Sequence, residues 1–253
     1  DLGFSVLEGF TAKFPGRSLN MAVAEQNMVG VAAGLALSGK TVFVYSIIPF
    51  VTMRVFEQVR NDIVLQNANV KIVGVGSGLT YGQLGPTHHS IEDIALMRVL
   101  PNMTVLCPGD PFEARALTEA AAKIKGPVYL RIGKKGEPVA HQNAPKLKVG
   151  KGFLVQDGKD ITLVATGNML YNALVATKLL GEKGVSARLL SLYTVKPIDA
   201  EILLKAVSET RAIFTLEEHS VMGGLGSAGA ETLLESGRAP KLFYRFGIRD
   251  VIT

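Results

Sequence analysis

The stretch Asn20–Ser38, NMAVAEQNMVGVAAGLALS, holds one charged residue, Glu25, in a run that is otherwise apolar, small or amide-bearing. That composition predicts a helix buried nearly all round, with Asn20 as its N-cap and Glu25 in the first turns. Desolvating an ionised carboxylate is costly, so burial favours the neutral form of Glu25 unless a cation pairs with it. A neutral, buried Glu can donate a hydrogen bond at neutral pH, which is a catalytic capability. A carboxylate that only caps the helix or makes a structural pair fits the same pattern.

Working outward, the chain alternates strand-like and helix-like runs. Thr41–Ser46 (TVFVYS) and Val70–Gly76 (VKIVGVG) are β-branched runs expected as buried strands, with a helix over about Val51–Gln66 between them whose inner side carries Val55, Phe56, Val59 and Ile63. A Gly-rich loop, SGLTYGQLGPTHHS, then leads to a short amphipathic helix (IEDIALMRVL), a strand (MTVLCP), a helix opened by Asp110 and Pro111, and the strand PVYLRI. Residues 133–150 are polar, basic and rich in Gly and Pro, as a linker is. A second series follows: strands DITLVAT, SARLLSL, RAIFTLEE and KLFYRFG, with helices near Met169–Leu180, Ala200–Ser208 and Ser227–Ser236. The alternation implies an α/β protein of two domains, 1–132 and 151–253, each a mostly parallel sheet flanked by helices.

The totals fit that reading. The 253 residues are 47% apolar and 19% charged, which excludes disorder and suits buried parallel strands. The net charge of +5 is scattered, and the densest basic cluster, Lys134, Lys135, Lys146 and Lys148, lies in the linker without interleaved aromatics, so no nucleic-acid partner is expected. The single cysteine, Cys107, reads as a buried structural thiol. No apolar run approaches the roughly 20 residues of a membrane span, and no signal peptide is visible, which predicts a cytoplasmic protein without a membrane partner. The chain starts at Asp1 rather than a methionine and stops at Thr253 with no closing helix, so it reads as a fragment or as a chain with disordered ends.

Three motifs compete for function. Gly224-Leu-Gly-Ser-Ala-Gly229 matches GxGxxG between a strand and a helix, the context of a dinucleotide site, but no acidic residue about twenty positions on completes it. Close packing of loop and helix explains these glycines more simply. The loop Gly82–Ser90 holds two of the four histidines, His88 and His89, at the carboxyl end of a strand, where open α/β sheets bind ligands. Adjacent histidine side chains diverge and no further ligands lie nearby, so no metal site is expected in this chain. Phe50, after Pro49 at the end of a strand, is either core or a stacking platform for a planar heterocycle.

Taken in order, AEQNM, PF, GPTHH with IEDIALMR, and PGDPFEA, followed by DITLVATGNM, SLYTVKPID and LEEHSVMGGLGSAGAE, resemble the thiamine-diphosphate family of transketolases, deoxyxylulose-phosphate synthases and 2-oxoacid dehydrogenase β subunits. The closest likeness is to the C-terminal subunit of a split transketolase. The resemblance implies that Glu25 hydrogen-bonds the cofactor's aminopyrimidine and drives the tautomer that generates its nucleophile. It likewise implies that Phe50 stacks on that ring, that Asp1 lies near it, that His88 contacts the ketose oxygen and that Arg131 grips a substrate phosphate. The reaction implied is transfer of a two-carbon ketol unit from a ketose to an aldehyde.

Two departures bear on substrate. Leu84 stands where transketolases usually carry an Asp that recognises a substrate hydroxyl, which favours a deoxy or otherwise unusual sugar. Gly76 stands near the position of a phosphate-side histidine. A third departure concerns the cofactor: no GDG motif with its following Asn occurs, so Mg²⁺ and the diphosphate would be held by a pyrophosphate-binding N-terminal subunit in an α₂β₂-like assembly. A synthase using pyruvate and a 2-oxoacid dehydrogenase β subunit are the enzymatic alternatives. A nucleotide-binding scaffold or electron-transfer subunit built on the GxGxxG is the non-enzymatic one.

Overall fold

The computed structural model describes residues 6–253. Among these residues, ten strands form two five-stranded sheets. The first is built from β1 (Val42–Ile47), β2 (Val70–Val75), β3 (Thr104–Leu106) and β4 (Val128–Ile132), in the order β1-β2-β4-β3, all parallel. β1 and β2 run in register from Val42 opposite Val70 to Ile47 opposite Val75. The second comprises β5 (Phe153–Gln156), β6 (Ile161–Ala165), β7 (Ala187–Ser191), β9 (Ala212–Ser220) and β10 (Leu242–Ile248), in the order β10-β9-β6-β7-β5. The remaining strand, β8 (Thr194–Lys196), comes from the second half of the chain yet pairs antiparallel with β3 and completes the first sheet. Lys196 reinforces the junction, donating from Nζ to the carbonyls of Arg98 (2.9 Å) and Leu100.

Helices cover both faces of each sheet, as buried parallel strands require. The helices of the first half are α1 (Glu8–Lys13), which is exposed, α2 (Glu25–Leu37), α3 (Ile48–Val51), α4 (Phe56–Gln58), α5 (Asp93–Val99) and α6 (Pro111–Lys123). One core joins α2, α5 and the segment 55–64 to β1–β3 through Val29, Val59, Ile72, Ile94 and Val105. On the opposite face α6 packs Leu117 and Ala121 against Leu106, Val128 and Leu130. In the second half α7 (Met169–Glu182) covers one face, and α8 (Ala200–Glu209) and α9 (Leu225–Glu235) cover the other. Cys107 is fully buried, and that burial pushes its thiol pKa up to about 12, consistent with a structural role.

Four expectations are corrected. The helix opened by AEQNM starts at Glu25, with Ala24 at its N-cap position; Asn20 instead accepts from Ala22 N–H (2.9 Å) in a local turn. It is also not buried all round in this chain. Met28, Val29, Ala32, Ala33 and Ala36 face the core, whereas Gln26, Asn27, Gly30, Gly34 and Leu37 are exposed. Small residues on both faces hid that asymmetry, because Gly and Ala contribute little to an amphipathic contrast.

The helix expected over 51–66 is broken. α3 ends at Val51, α4 covers only Phe56–Gln58, and Val59–Val64 is π-helical, although Val55, Val59 and Ile63 face inward as their spacing predicts. Residues 133–150 contain no helix or strand but are not simply solvated. Ala140 and His141 are buried, and both donate backbone N–H groups to Asp110 Oδ2 at 3.1 Å. Burial alone would lower the pKa of His141, but its Nε2 contact with Glu113 Oε1 at 2.8 Å outweighs that and raises it.

Candidate active site

The carboxyl ends of β1 and β2 build the site, as expected for an open α/β sheet. After β1, Pro49 sits in the first turn of α3, where its fixed φ and missing N–H are tolerated, and Phe50 follows it, half-buried. The chain leaves the helix at once. Thr52 Oγ1 turns back to Ile48 O (2.6 Å), and Arg54 N–H reaches Pro49 O (3.1 Å). This break carries the Arg54 guanidinium over the Phe50 ring, 4.1 Å from its centroid. From there Nη1 meets Glu25 Oε2 at 2.9 Å. The two partners differ in exposure: the Arg54 side chain is 43% accessible and that of Glu25 only 2%. A cation therefore pairs with Glu25, but through one oxygen only. Glu25 Oε1 is buried and has no hydrogen-bond partner among the described residues.

The loop after β2 supplies the next residues. Gly85, at φ +73°, ends the 3₁₀ turn Gly82–Leu84 in a conformation that favours glycine, and its carbonyl accepts from His88 N–H at 3.0 Å. The turn lays the His88 ring edge-on to Phe50, with centroids 5.2 Å apart, and 6.2 Å from Tyr81. His88 Nδ1 shares a 2.9 Å hydrogen bond with Thr87 Oγ1. The neighbouring His89 points elsewhere: it is buried, and its Nδ1 meets Thr253 O and Oγ1. Lys134 Nζ lies over the Tyr81 ring at 4.9 Å from its centroid. Glu25, Arg54, Phe50, His88, Tyr81 and Lys134 thus form one continuous line. A cleft of about 560 Å³ adjoins its far end, lined by Lys134, Tyr45 and Asn168 among others. Tyr45 Oη and Asn168 Oδ1 are buried without hydrogen-bond partners among the described residues.

The structure brings Phe50 and His88 into contact and joins both to Glu25 through Arg54. Leu84 is 53% exposed on the same loop as His88. Asp1 lies outside the described residues. Gly76 explains its own departure: at φ +88°, a side chain there would collide with the Tyr81 ring, 2.0 Å from a built Cβ, so a histidine has no room.

Arg131 does not stand where the sequence reading put it. It is 1% exposed and bonds Asp93 through Nε (2.8 Å) and Nη2 (3.3 Å), with Nη2 also reaching Ser90 O (2.8 Å) and Glu218 O (3.0 Å). Tyr129 Oη adds a donor to the same aspartate at 2.6 Å. The guanidinium forms a buried clasp between the two halves. Lys134 is the cation that lies over Tyr81 in the line of side chains. Arg54, Tyr81 and Lys134 are the residues the sequence reading missed.

The GxGxxG segment is closed to phosphate. The amides that would cradle an anion at the start of α9, Leu225 N and Gly226 N, donate to Glu217 Oε2 (2.6 Å) and Oε1 (2.8 Å). A Cβ on Gly224 would lie 2.0 Å from that carboxylate, and one on Gly226 would meet Arg245 and Thr215 at 2.7 Å. These glycines serve close packing. Among the described residues, no group of three His, Cys, Asp or Glu side chains is placed to hold a metal, and no helix is long and apolar enough to cross a membrane.

Comparison with known proteins agrees with the geometry. Residues 3–137 match the transketolase pyrimidine-binding domain, and residues 150–253 match the transketolase C-terminal domain. The chain therefore belongs to the transketolase family of thiamine-diphosphate-dependent transferases. It is similar to the second subunit of the apulose-4-phosphate transketolase of Phocaeicola vulgatus, at 41% identity over 92% of this chain and 75% of that one. A 6-deoxy-6-sulfo-D-fructose transketolase subunit of a Clostridium species shares 40% identity over 97% of this chain and 76% of its own length. Among solved structures, a split-gene transketolase described as an inactive beta4 tetramer superposes with a TM-score of 0.90 at 44% identity, covering 99% of this chain and 81% of that one. Within the family the chain is the C-terminal subunit of a split transketolase.

Proposed function

We propose that this chain forms the pyrimidine side of a thiamine-diphosphate site completed by a separate pyrophosphate-binding subunit, and that the assembled enzyme moves a two-carbon ketol unit from an anionic ketose to an aldehyde. One observation carries the reading: among the described residues the buried oxygen Glu25 Oε1 has no hydrogen-bond partner, and Arg54 links that carboxylate to the face of Phe50. Those are the groups that suit a planar, hydrogen-bonding heterocycle. Bound there, thiamine diphosphate supplies the nucleophilic carbon that cleaves the bond next to a ketose carbonyl. Glu25 Oε1 hydrogen-bonds the ring nitrogen, Phe50 stacks on the ring, and His88 polarises the substrate oxygen and moves its proton. Asp1 is proposed to lie near the ring as well. Mg²⁺ and the diphosphate fall to the partner in an α₂β₂-like assembly.

For the substrate, Leu84 removes an acceptor from the loop that carries His88, and Lys134 offers a cation at the far end of the line of side chains. The two sugars named in the relatives carry a phosphate or a sulfonate remote from the carbonyl, which agrees with Lys134 as the anion partner. The same apolar Leu84 also suits pyruvate as donor, and which donor is consumed separates the two.

The test is calorimetric titration of thiamine diphosphate with Mg²⁺ into this chain, into a GDG-bearing partner subunit, and into their mixture. Binding by the mixture alone is expected. Binding by the partner alone with unchanged affinity would remove this chain from the site.

A further inference from the structure

Arg54 contacts the two groups that the proposed ring would need. Its guanidinium is planar and delocalised, stacks 4.1 Å from the centre of Phe50, and presents an N–H to Glu25 Oε2 at 2.9 Å. A flat group that stacks on this ring and donates to this carboxylate is also what an aminopyrimidine is. We infer that Arg54 is a placeholder: in the cofactor-free subunit it occupies the ring position between Phe50 and Glu25, and it withdraws when the ring binds. This inference rests on the cofactor site proposed above.

Several features suit a side chain built to leave. Arg54 is rooted in residues 52–55, between α3 and α4 and outside any regular helix, so its movement unwinds nothing. Its side chain is 43% accessible and faces solvent along one side. Its contacts are one cation–π stack and one ion pair with a single carboxylate oxygen, each modest for a group this exposed. Glu25 gains by the arrangement. A buried carboxylate without a cation is costly, and Arg54 offsets that cost while the slot awaits its ligand. The unpartnered Oε1 remains the free acceptor that recruits the ring, after which the face of Phe50 has to change hands, because two flat groups cannot stack on one face at once.

The contrast with a structural arginine lies within the same molecule. Arg131 is buried, bonds both oxygens of its carboxylate and is held by two backbone carbonyls as well. Arg54 has none of that reinforcement.

The test measures thiamine diphosphate affinity by calorimetry, with Mg²⁺ and the partner subunit, for wild type, Arg54→Ala and Arg54→Lys. A placeholder competes with its ligand, so removing it tightens binding, by about five- to tenfold for the Ala variant. The Lys variant, which keeps the charge but not the plane, falls between. The isolated Ala variant should also melt below wild type, since Glu25 loses its cation. Weaker or unchanged binding by Arg54→Ala would overturn the inference and make Arg54 part of the loaded site or of the fold. If the Ala variant does not fold, Arg54→Lys decides by the same sign. A wild-type mixture that binds no cofactor would remove the site itself, and the placeholder with it.

Discussion

Two buried glutamates divide this molecule. Glu25 and Glu217 are 3% and 2% exposed; Glu25 opens α2, and Glu217, on β9, sets its carboxylate against the first turn of α9, both helices rich in Gly and Ala. Glu217 is finished: both oxygens accept short hydrogen bonds from the amides that open α9. Burial still pushes its pKa up to about 7 against the pull of those amides. Glu25 is unfinished: one oxygen meets the exposed Arg54 side chain, and the other has no hydrogen-bond partner among the described residues. Burial does not distinguish the two, and sequence context hardly does. The unfilled valence does, because a fold completes the carboxylates it uses for itself and leaves open those meant for something else.

Removing each glutamate should give opposite phenotypes. Glu25→Ala in the assembled enzyme is expected to lose turnover by about 10²–10⁴-fold while the chain keeps its fold, read by steady-state kinetics beside far-UV circular dichroism. Near-normal turnover would make Glu25 as structural as Glu217.

The next largest effect tests the reassignment of Arg131. Arg131→Met leaves Asp93 buried with only Tyr129 as donor, and should cost about 3–5 kcal/mol in denaturant unfolding. A variant of normal stability with a raised KM would return Arg131 to the substrate.

Glu217→Ala orphans two buried amides and should cost about 2–3 kcal/mol, with kcat little changed. Its pH dependence sharpens the contrast. The folded pKa is about 7 against an ordinary 4.5, so the folded chain holds a proton that the unfolded chain releases. The stability this gives is present in full below pH 4.5 and lost as pH rises through about 7, so the gap between wild type and variant should narrow across that window. The smallest effect belongs to the mouth of the site. Leu84→Asp should shift preference toward fully hydroxylated ketoses by up to about tenfold, read as a ratio of kcat/KM values.

Much of the fold was legible because buried parallel strands announce themselves as β-branched runs. Glu25, Phe50 and His88 were visible as candidates because each is an odd residue in its setting: an acid in an apolar helix, an aromatic after a proline, a histidine on a glycine-rich loop. Arg54 was not. A period of 3.6 residues places it on the outer face of a continuous helix, and only the interruption at 52–55, with the π-helical turn beyond it, folds it back. The burial of Arg131 was not legible either. Its role was implied by the family resemblance alone, and the partner that buries it, Asp93, lies 38 residues away. The acid amid IEDIALM was the available clue, since a lone aspartate on an apolar helix face needs a cation. The strand Thr194–Lys196 is three residues long, too short for any alternation to register.

That short strand governs the order in which the chain can fold. As the polypeptide emerges from the ribosome, β1 to β4 are complete by residue 132, but the free side of β3 stays bare until residues 194–196 arrive from the other half. Until then the nascent first half presents a sheet margin that is open to any neighbouring strand. The second half thus supplies the strand that closes the first sheet, which ties the two into one late-locking unit during synthesis.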